Sequence, residues 1–169
     1  MLYLLDANVL IDANRDYYPL DRVPEFWGWL ENVGKNHYVK IPLEMYEEII
    51  EVKDELTTWA KQEPVKTSIL LQEEVDVSLI SYVTDQGYAS DLTDDEVVKI
   101  GRDPFLIAYA LKDNTNRCIV TTEVSKPRRL RANRHLPDVC AHLGVSYCNT
   151  FEFVRALNFS TKWKSSQNK

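Results

Sequence analysis

Four acidic residues lie where apolar segments begin or end, so folding can bring their carboxylates together. Asp6 closes the apolar run LYLLD, and Glu123 follows the run RCIVTT more than a hundred residues later. Glu48 lies on the first turns of the helix predicted after HYVKI, and Asp103 begins the apolar segment DPFLIAYALK. Because ligands of open parallel sheets bind beyond the carboxyl ends of the strands, we expect all four acids to converge at one edge of a sheet.

A cluster of carboxylates needs compensation, because two of them about 4 Å apart repel by about 4 kcal/mol at an effective dielectric near 20. Either some carboxyl groups stay protonated or a cation lies among them. Oxygen ligands without a His or Cys nearby in the sequence favour a hard ion such as Mg²⁺ or Mn²⁺. Such an ion activates water and stabilises charge on a phosphoryl group, which indicates phosphate chemistry.

Each acid also has a purely structural interpretation. Asp103 precedes Pro104 and is suited to cap a helix. Glu48 alone is typical of a solvated helix face, and Asp6 or Glu123 alone can cap a turn. The combination of the four acids is what favours a functional site.

A basic segment follows directly after Glu123. The segment KPRRLRANRH carries five cations and no acid, whereas the whole chain has a net charge of −6 and the remainder therefore −11. A basic strip on an acidic body can follow a phosphate backbone; the alternative is an exposed loop that pairs with surface acids. The residues predicted to bind the substrate are Lys126, Arg128, Arg129, Arg131 and Arg134.

Apolar strands alternate with helical segments, which predicts an α/β fold, a three-layer sandwich whose central, mostly parallel sheet is flanked by helices. Strands are predicted at residues 2–6 and at HYVKI, RCIVTT and VSYC. Thr93 and Glu96 predict a helix that begins with a capping box. The length of 169 residues suits one domain, over residues 1–159, followed by a flexible polar tail at 160–169.

The helix that follows Pro42 is predicted to continue as far as Trp59. At 100° per residue its apolar side chains fall on one stripe, formed by Met45, Ile49, Val52, Leu56 and Trp59. Glu48 lies on the shoulder of this stripe, so its carboxylate is expected to reach toward the sheet edge. Glu47 is expected to face water.

Three aromatic residues, Phe26, Trp27 and Trp29, lie close together on one predicted helix. Their spacing suggests that they cannot all face a single core. Core packing with one indole half exposed and an exposed surface for a partner are both open interpretations.

Composition and hydropathy exclude several classes of protein. No apolar run approaches the roughly 18 residues of a membrane span, and the first apolar run lacks the basic flank of a signal peptide. The cysteines form no CxxC pair, which favours free thiols over a disulfide or zinc site at Cys118, Cys140 and Cys148. We therefore expect a cytoplasmic protein that does not associate with membranes.

The ordered motifs LLDANVLID, IPLEMYEEI, DPFLIAYA and IVTTE closely resemble the PIN-domain family, the fold of VapC-type toxin ribonucleases. More narrowly, YYPLDRVPEFWGWL and the ending LPDVCAHLGV…NTFEFVRAL resemble the PIN-like subfamily DUF4411. The resemblance extends to about Phe159. It implies Mg²⁺- or Mn²⁺-dependent hydrolysis of RNA that leaves a 5′-phosphate and a 3′-hydroxyl. It also implies a toxin–antitoxin pair, binding of an antitoxin protein, and homodimerisation.

Carried over to this chain, the resemblance implies that the metal-binding and catalytic acids are Asp6, Glu48, Asp103 and Glu123. Asn8 and Thr121 match polar positions that would orient carboxylates or metal-bound water. The family commonly has aspartate at the fourth acid, and the extra methylene of Glu123 leaves open direct ligation, ligation through water, or binding of a second ion only.

Two other functions fit parts of the pattern. A phosphotransferase that uses Asp6 as nucleophile, as in haloacid-dehalogenase-like phosphatases, needs a second aspartate two residues on, where this chain has Asn8. A PIN-like module that binds nucleic acid or protein without catalysis is the alternative that stays open, although the complete set of acids favours an enzyme.

Overall fold

A computed structural model describes residues 1–166 of the chain. Its sheet has four strands in the order β2-β1-β3-β4, and every neighbouring pair is parallel. This confirms the predicted α/β fold with a parallel sheet. The strands are β1 (Leu2–Leu5), β2 (Val39–Lys40), β3 (Arg117–Val120) and β4 (Tyr147–Cys148).

Helices fill the connections between the strands. They are α1 (Ala7–Asp12), α2 (Pro24–Lys35), α3 (Leu43–Glu51), α4 (Glu55–Ala60), α5 (Glu63–Ile69), α6 (Val77–Tyr82), α7 (Asp94–Ile100), α8 (Asp103–Leu111), α9 (Leu136–Leu143), α10 (Thr150–Ala156) and α11 (Trp163–Ser166). Wider π-helical turns extend α1 over Ala13–Tyr17 and α6 over Val83–Tyr88, and a short 3₁₀ turn spans Arg131–Asn133. The predicted capping box at Thr93 and Glu96 is present at the start of α7.

The strand order creates a switch point between the two central strands. From β1 the chain crosses to β2 on one side, whereas β3 leads to β4 on the other side. The pair of Leu5 with Val120 is the last in the β1–β3 register, and the backbone N–H of Asp6 donates to the carbonyl of Val120 at 3.0 Å. Ligands of parallel sheets bind at such a point. Asp6 and Glu123, the first and last of the four acids, follow the two strands that meet there.

The core lies around β1, β3 and the apolar helix α8, whose Leu106, Ile107 and Ala110 are fully buried. The three aromatic residues of α2 are buried as well. Both interpretations of this group are therefore wrong, since it has neither a half-exposed indole nor an exposed surface for a partner. Phe26, Trp27 and Trp29 are at most 3% exposed, because rings from several other segments cover different sides of α2. These rings belong to Tyr18, Trp59, Phe153 and Phe159.

The predicted helix from Pro42 to Trp59 is instead two helices, α3 and α4. Lys53 has a φ of 61°, a left-handed conformation that interrupts the helix. The carboxylate of Asp54 then accepts a hydrogen bond from the backbone N–H of Thr57 at 3.0 Å and caps α4. Val52, placed on the buried stripe by the sequence pattern, therefore lies at the break and is 47% exposed.

Beyond Phe159 the chain packs against α2. The indole of Trp163 donates to the carbonyl of Glu25 at 2.9 Å. Its ring covers Gly28 so closely that a Cβ added there would lie 3.6 Å from it. Residues 167–169 of the predicted tail lie outside the described residues. Within residues 1–166, no helix is both long and apolar enough to cross a membrane.

Candidate functional site

Asp6 is buried at the end of β1, directly before α1. The hydroxyl of Thr121 donates to its Oδ2 at 3.0 Å, and its side chain makes no capping hydrogen bond with α1. Burial raises the pKa of Asp6 to about 6; the hydrogen bond from Thr121 opposes this rise and the charge of Glu123 adds to it. The backbone N–H groups of Ala7 and Asn8 at the start of α1 also oppose the rise, and burial of the side chain is unfavourable for its charged form.

Asp103 begins α8, and it too makes no capping hydrogen bond. Its Oδ2 accepts a hydrogen bond from the phenol of the buried Tyr88 at 3.3 Å. Burial raises the pKa of Asp103 to about 8, and the charges of Asp6, Glu123 and Glu48 add to the rise. In the part of the chain that the structure describes, no basic side chain lies within 4.0 Å of the Asp6 or Asp103 carboxylate.

Glu48 lies on α3 between the buried acids and a cation. Burial and the charge of Asp6 raise its pKa, and the guanidinium of Arg102 opposes the rise from 3.8 Å. The same guanidinium donates to the carbonyl of Glu44 at 2.6 Å and pairs with Glu47 and Glu51. Arg102, the residue before Asp103, therefore fixes the face of α3 that carries Glu48.

Glu123 has a second, structural role. Its Oε2 accepts a hydrogen bond from the backbone N–H of Leu136, the first residue of α9, at 2.8 Å. Nδ1 of His135 lies 3.4 Å from the same oxygen without the geometry of a hydrogen bond. The backbone N–H of Glu123 donates to the hydroxyl of Thr121 at 3.1 Å. Glu123 thus tethers the start of α9 through one carboxylate oxygen, and its charge still raises the pKa of Asp6 and Asp103.

The four predicted acids lie close enough for their charges to act on one another, since those of Asp6, Glu48 and Glu123 all raise the pKa of Asp103. Their all-oxygen donor set fits a hard divalent cation, which would relieve this repulsion. As the side chains stand, however, no three His, Cys, Asp or Glu residues within 1–166 are grouped closely enough to hold a metal ion. Three carboxylates would have to rotate toward one another to share one ion.

Of the two supporting polar residues, Thr121 links two of the acids. Its hydroxyl donates to Asp6 and accepts from the backbone of Glu123, and the residue is 2% exposed. Asn8 is exposed on the first turn of α1. Its predicted role toward carboxylates or metal-bound water stays a prediction.

The basic residues divide into two groups. Arg131 is held by Asp91 at 2.6 Å and Glu96 at 2.7 Å. Arg134 donates to the carbonyls of Gly87 and Asp138. These two side chains anchor the segment to the rest of the fold. The other three, Lys126, Arg128 and Arg129, are exposed.

A cleft of about 320 Å³ connects the acids to the basic segment. We call it the polar cleft; its charged lining includes Lys99, Asp103, Glu123, Arg129, Arg134 and His135. Carboxylates therefore form one part of its wall and cations another. Two of the predicted acids, Asp103 and Glu123, therefore line the same cleft as two of the predicted substrate-binding residues, Arg129 and Arg134.

Sequence reasoning missed Tyr88, Lys99, Arg102 and His135 as neighbours of the acids. None of them belongs to a local motif. Their positions depend on contacts between distant segments, for example between Tyr88 and Asp103 or between Arg102 and α3. The one available signal was that Arg102 precedes a candidate acid.

A family model described as DUF4411, a domain of unknown function, matches residues 3–161. No curated protein and no solved structure matches the chain. The match spans both central strands and all four acids.

Proposed function

The chain belongs to the DUF4411 family, and we propose that it is a PIN-like, metal-dependent endoribonuclease that hydrolyses RNA phosphodiester bonds. The observation that carries the proposal is the grouping of Asp6, Glu48, Asp103 and Glu123 near the ends of β1 and β3, where the charges of the other three acids raise the pKa of Asp103. Two of these carboxyl groups are buried and have strongly raised pKa values. Such perturbed acids cluster at functional sites.

In this proposal Asp6 and Asp103 anchor Mg²⁺ or Mn²⁺. Glu48 completes the shell or holds the attacking water, and Glu123 contributes the oxygen that does not bind Leu136. When bound, the ion would supply an activated water and charge stabilisation at the phosphoryl group. Burial of the anchoring acids supports this assignment, because an unpaired buried carboxylate is unfavourable until a cation accompanies it.

Other residues of the chain would position these groups. Thr121 holds the Asp6 carboxylate, and Arg102 holds Glu48 on its side of the cluster. Arg129 and Lys99 would bind the phosphate backbone, because both line the polar cleft together with Asp103 and Glu123. Lys126 and Arg128 would bind further phosphates along the RNA.

The biological setting follows from the PIN resemblance. The protein would be the toxin of a toxin–antitoxin pair, would bind an antitoxin protein, would form a homodimer, and would leave a 5′-phosphate and a 3′-hydroxyl on its RNA. Co-purification with the product of an adjacent small gene, which silences the nuclease, is the expected result.

The decisive experiment measures cleavage of labelled single-stranded RNA with Mg²⁺, with Mn²⁺ and with EDTA. We expect cleavage with either metal and none with EDTA. Asp6→Asn should abolish it and leave the fold intact by circular dichroism. The matched control is Asp21→Asn, since Asp21 is an exposed aspartate that pairs only with the neighbouring Arg22. Wild-type cleavage by Asp6→Asn would contradict the proposal.

One alternative has an observation in its favour. The tether between Glu123 and Leu136, together with the loose grouping of the acids, is also what a non-catalytic PIN-like binding module would have. A calorimetric Mn²⁺ titration combined with an RNA-binding assay separates the two. RNA binding without metal binding and without cleavage would favour the binding module.

A further inference from the structure

A second opening adjoins Glu123. It is a cavity of about 610 Å³ beyond the carboxyl ends of β3 and β4, here called the aromatic cavity. Its lining includes Tyr17, Glu123, Tyr147, Thr150 and Phe151. Glu123 lines both this cavity and the polar cleft, so the two openings meet at a candidate catalytic acid.

The wall of the aromatic cavity contains rings that are unusually open to solvent. Tyr17 and Phe151 form an edge-to-face pair with their centroids 5.5 Å apart at 82°, although each is nearly half exposed. Tyr147 is 41% exposed beside them. Exposed aromatic rings held in place by their neighbours are the usual platform for an unstacked base.

A buried polar atom in the same lining has no partner. Thr150 is 6% exposed, and its hydroxyl oxygen makes no hydrogen bond with any described residue. The groups on either side are already engaged, since Asn149 and Glu152 form a reciprocal capping box. Because buried hydroxyls are nearly always hydrogen-bonded, the hydroxyl of Thr150 is available to a polar group that enters the cavity when the surrounding side chains move.

The charges of the cavity exclude a phosphate as its occupant. The one basic residue among its described lining, Arg15, is bound by Asp12 at 2.8 Å and Asp16 at 2.6 Å. Both of these acids and Glu152 also line the cavity. An uncharged planar group with hydrogen-bond donors suits this lining, whereas a phosphate suits the cations of the polar cleft.

We propose that the aromatic cavity binds one unstacked base of the substrate strand, while the adjacent phosphate lies at the polar cleft. This inference rests on the proposed nuclease function for its biological meaning. The ring pair of Tyr17 and Phe151 supplies the stacking surface, and the hydroxyl of Thr150 reads a polar edge of the base. The acidic lining favours bases with an exocyclic amino group over uracil.

The direct test is an NMR titration, in which adenosine, cytidine, uridine and ribose 5-phosphate are each added to the metal-free protein. Adenosine and cytidine should bind more tightly than uridine, and ribose 5-phosphate should not perturb the cavity. Tyr17→Ala and Phe151→Ala should each weaken adenosine binding by about tenfold. Tyr38→Ala is the matched control, because Tyr38 is 52% exposed and does not line the cavity.

Thr150 allows a finer test. Thr150→Val keeps the shape but removes the hydroxyl, so it should weaken adenosine binding without lowering the unfolding temperature. Thr150→Ser should retain wild-type binding. Equal adenosine affinity in the Val and Ser variants would overturn the role of the hydroxyl.

The outcomes separate this inference from the proposed function. Adenosine binding that Phe151→Ala weakens by about tenfold supports the base site even if no RNA is cut. If Phe151→Ala cleaves RNA with wild-type kinetics and binds adenosine with wild-type affinity, the base site is overturned. The nuclease assignment is then left in place. Binding of an arginine-rich peptide in this cavity, without adenosine binding at millimolar concentration, also overturns it.

Discussion

The two ends of β3 treat charge in opposite ways. At its amino end, Arg117 pairs with Glu73 at 2.8 Å and donates to the carbonyl of Tyr109, and Lys112 also pairs with Glu73 at 2.7 Å. Burial would raise the pKa of Glu73, but the hydrogen bonds from Arg117 and Lys112 outweigh it, so the pKa lies below its ordinary value. At the carboxyl end, burial and the charges of neighbouring acids raise the pKa of Asp6 and Asp103 instead.

This contrast separates stability from function within one strand. The amino end has its charges satisfied by the protein itself, as expected of a structural ion-pair cluster. The carboxyl end keeps buried acids whose charges the described protein does not compensate. Perturbed acids of this kind are typical of functional sites, which supports the proposed metal site.

The largest expected effect concerns metal-dependent activity. Asp103→Asn should lower Mn²⁺ affinity and RNA cleavage by more than about a hundredfold, because changes to residues that merely support ligands already cost 10–100-fold. Calorimetry measures the affinity and a gel assay the cleavage. Glu73→Gln at the other end of β3 is the comparison, and equal losses in both variants would remove the distinction between the two ends.

The second effect is on the pH dependence of stability without metal. The folded pKa of Asp103, about 8, lies above its unfolded value of 3.8, so the folded state binds this proton more tightly than the unfolded chain. The free energy of unfolding should therefore fall by roughly 3 kcal/mol between pH 5 and pH 8, at about 1.4 kcal/mol per pKa unit.

Urea unfolding at several pH values in EDTA measures this dependence. Asp103→Asn should flatten the profile and stabilise the metal-free protein at pH 8. A wild-type stability that rises from pH 5 to pH 8 would contradict the buried, uncompensated state of the acid.

The third effect belongs to the amino end. Glu73→Gln should lower the free energy of unfolding by about 2 kcal/mol, because Arg117 is largely buried and loses its charged partner. Metal-dependent cleavage should be unchanged when it is assayed well below the unfolding temperature. An unchanged urea midpoint would show that this pair does not stabilise the fold.

The smallest effect tests the same contrast within the basic segment. Arg129→Ala should reduce the slope of RNA affinity against salt concentration by about one, because one phosphate contact is lost. Arg131→Ala should leave that slope unchanged and lower stability by at most about 1 kcal/mol, since its pairs with Asp91 and Glu96 are partly exposed. Identical salt slopes for the two variants would show that the segment does not divide in this way.

Local patterns were sufficient to predict the sheet and the edge at which the acids lie. Runs that are apolar on both faces identify strands of a parallel sheet, and such strands carry their ligands beyond their carboxyl ends. Asp6 and Glu123 were therefore placed from sequence, and the capping boxes that begin α7 and α10 are equally local.

Features that depend on distant segments could not be predicted in this way. The sequence left open whether the basic segment binds a phosphate backbone or pairs with surface acids. Arg131 pairs with acids that lie 35 and 40 residues away, which no local pattern could identify. The burial of Trp27 depends on Trp59, which packs against it from another helix. The break between α3 and α4 needed the positive φ of Lys53, a conformation without a strong sequence signal.

The tether between Glu123 and Leu136 gives a reason for a glutamate at this position. The carboxylate of Glu123 belongs to the proposed site and also accepts a hydrogen bond from Leu136, at the end of the loop that carries the basic residues. Shortening this side chain by one methylene would withdraw the carboxylate from the backbone of Leu136, whereas Arg131 and Arg134 would still hold the basic segment. The length of the Glu123 side chain therefore links the proposed metal site to the start of α9, the helix that follows the basic segment.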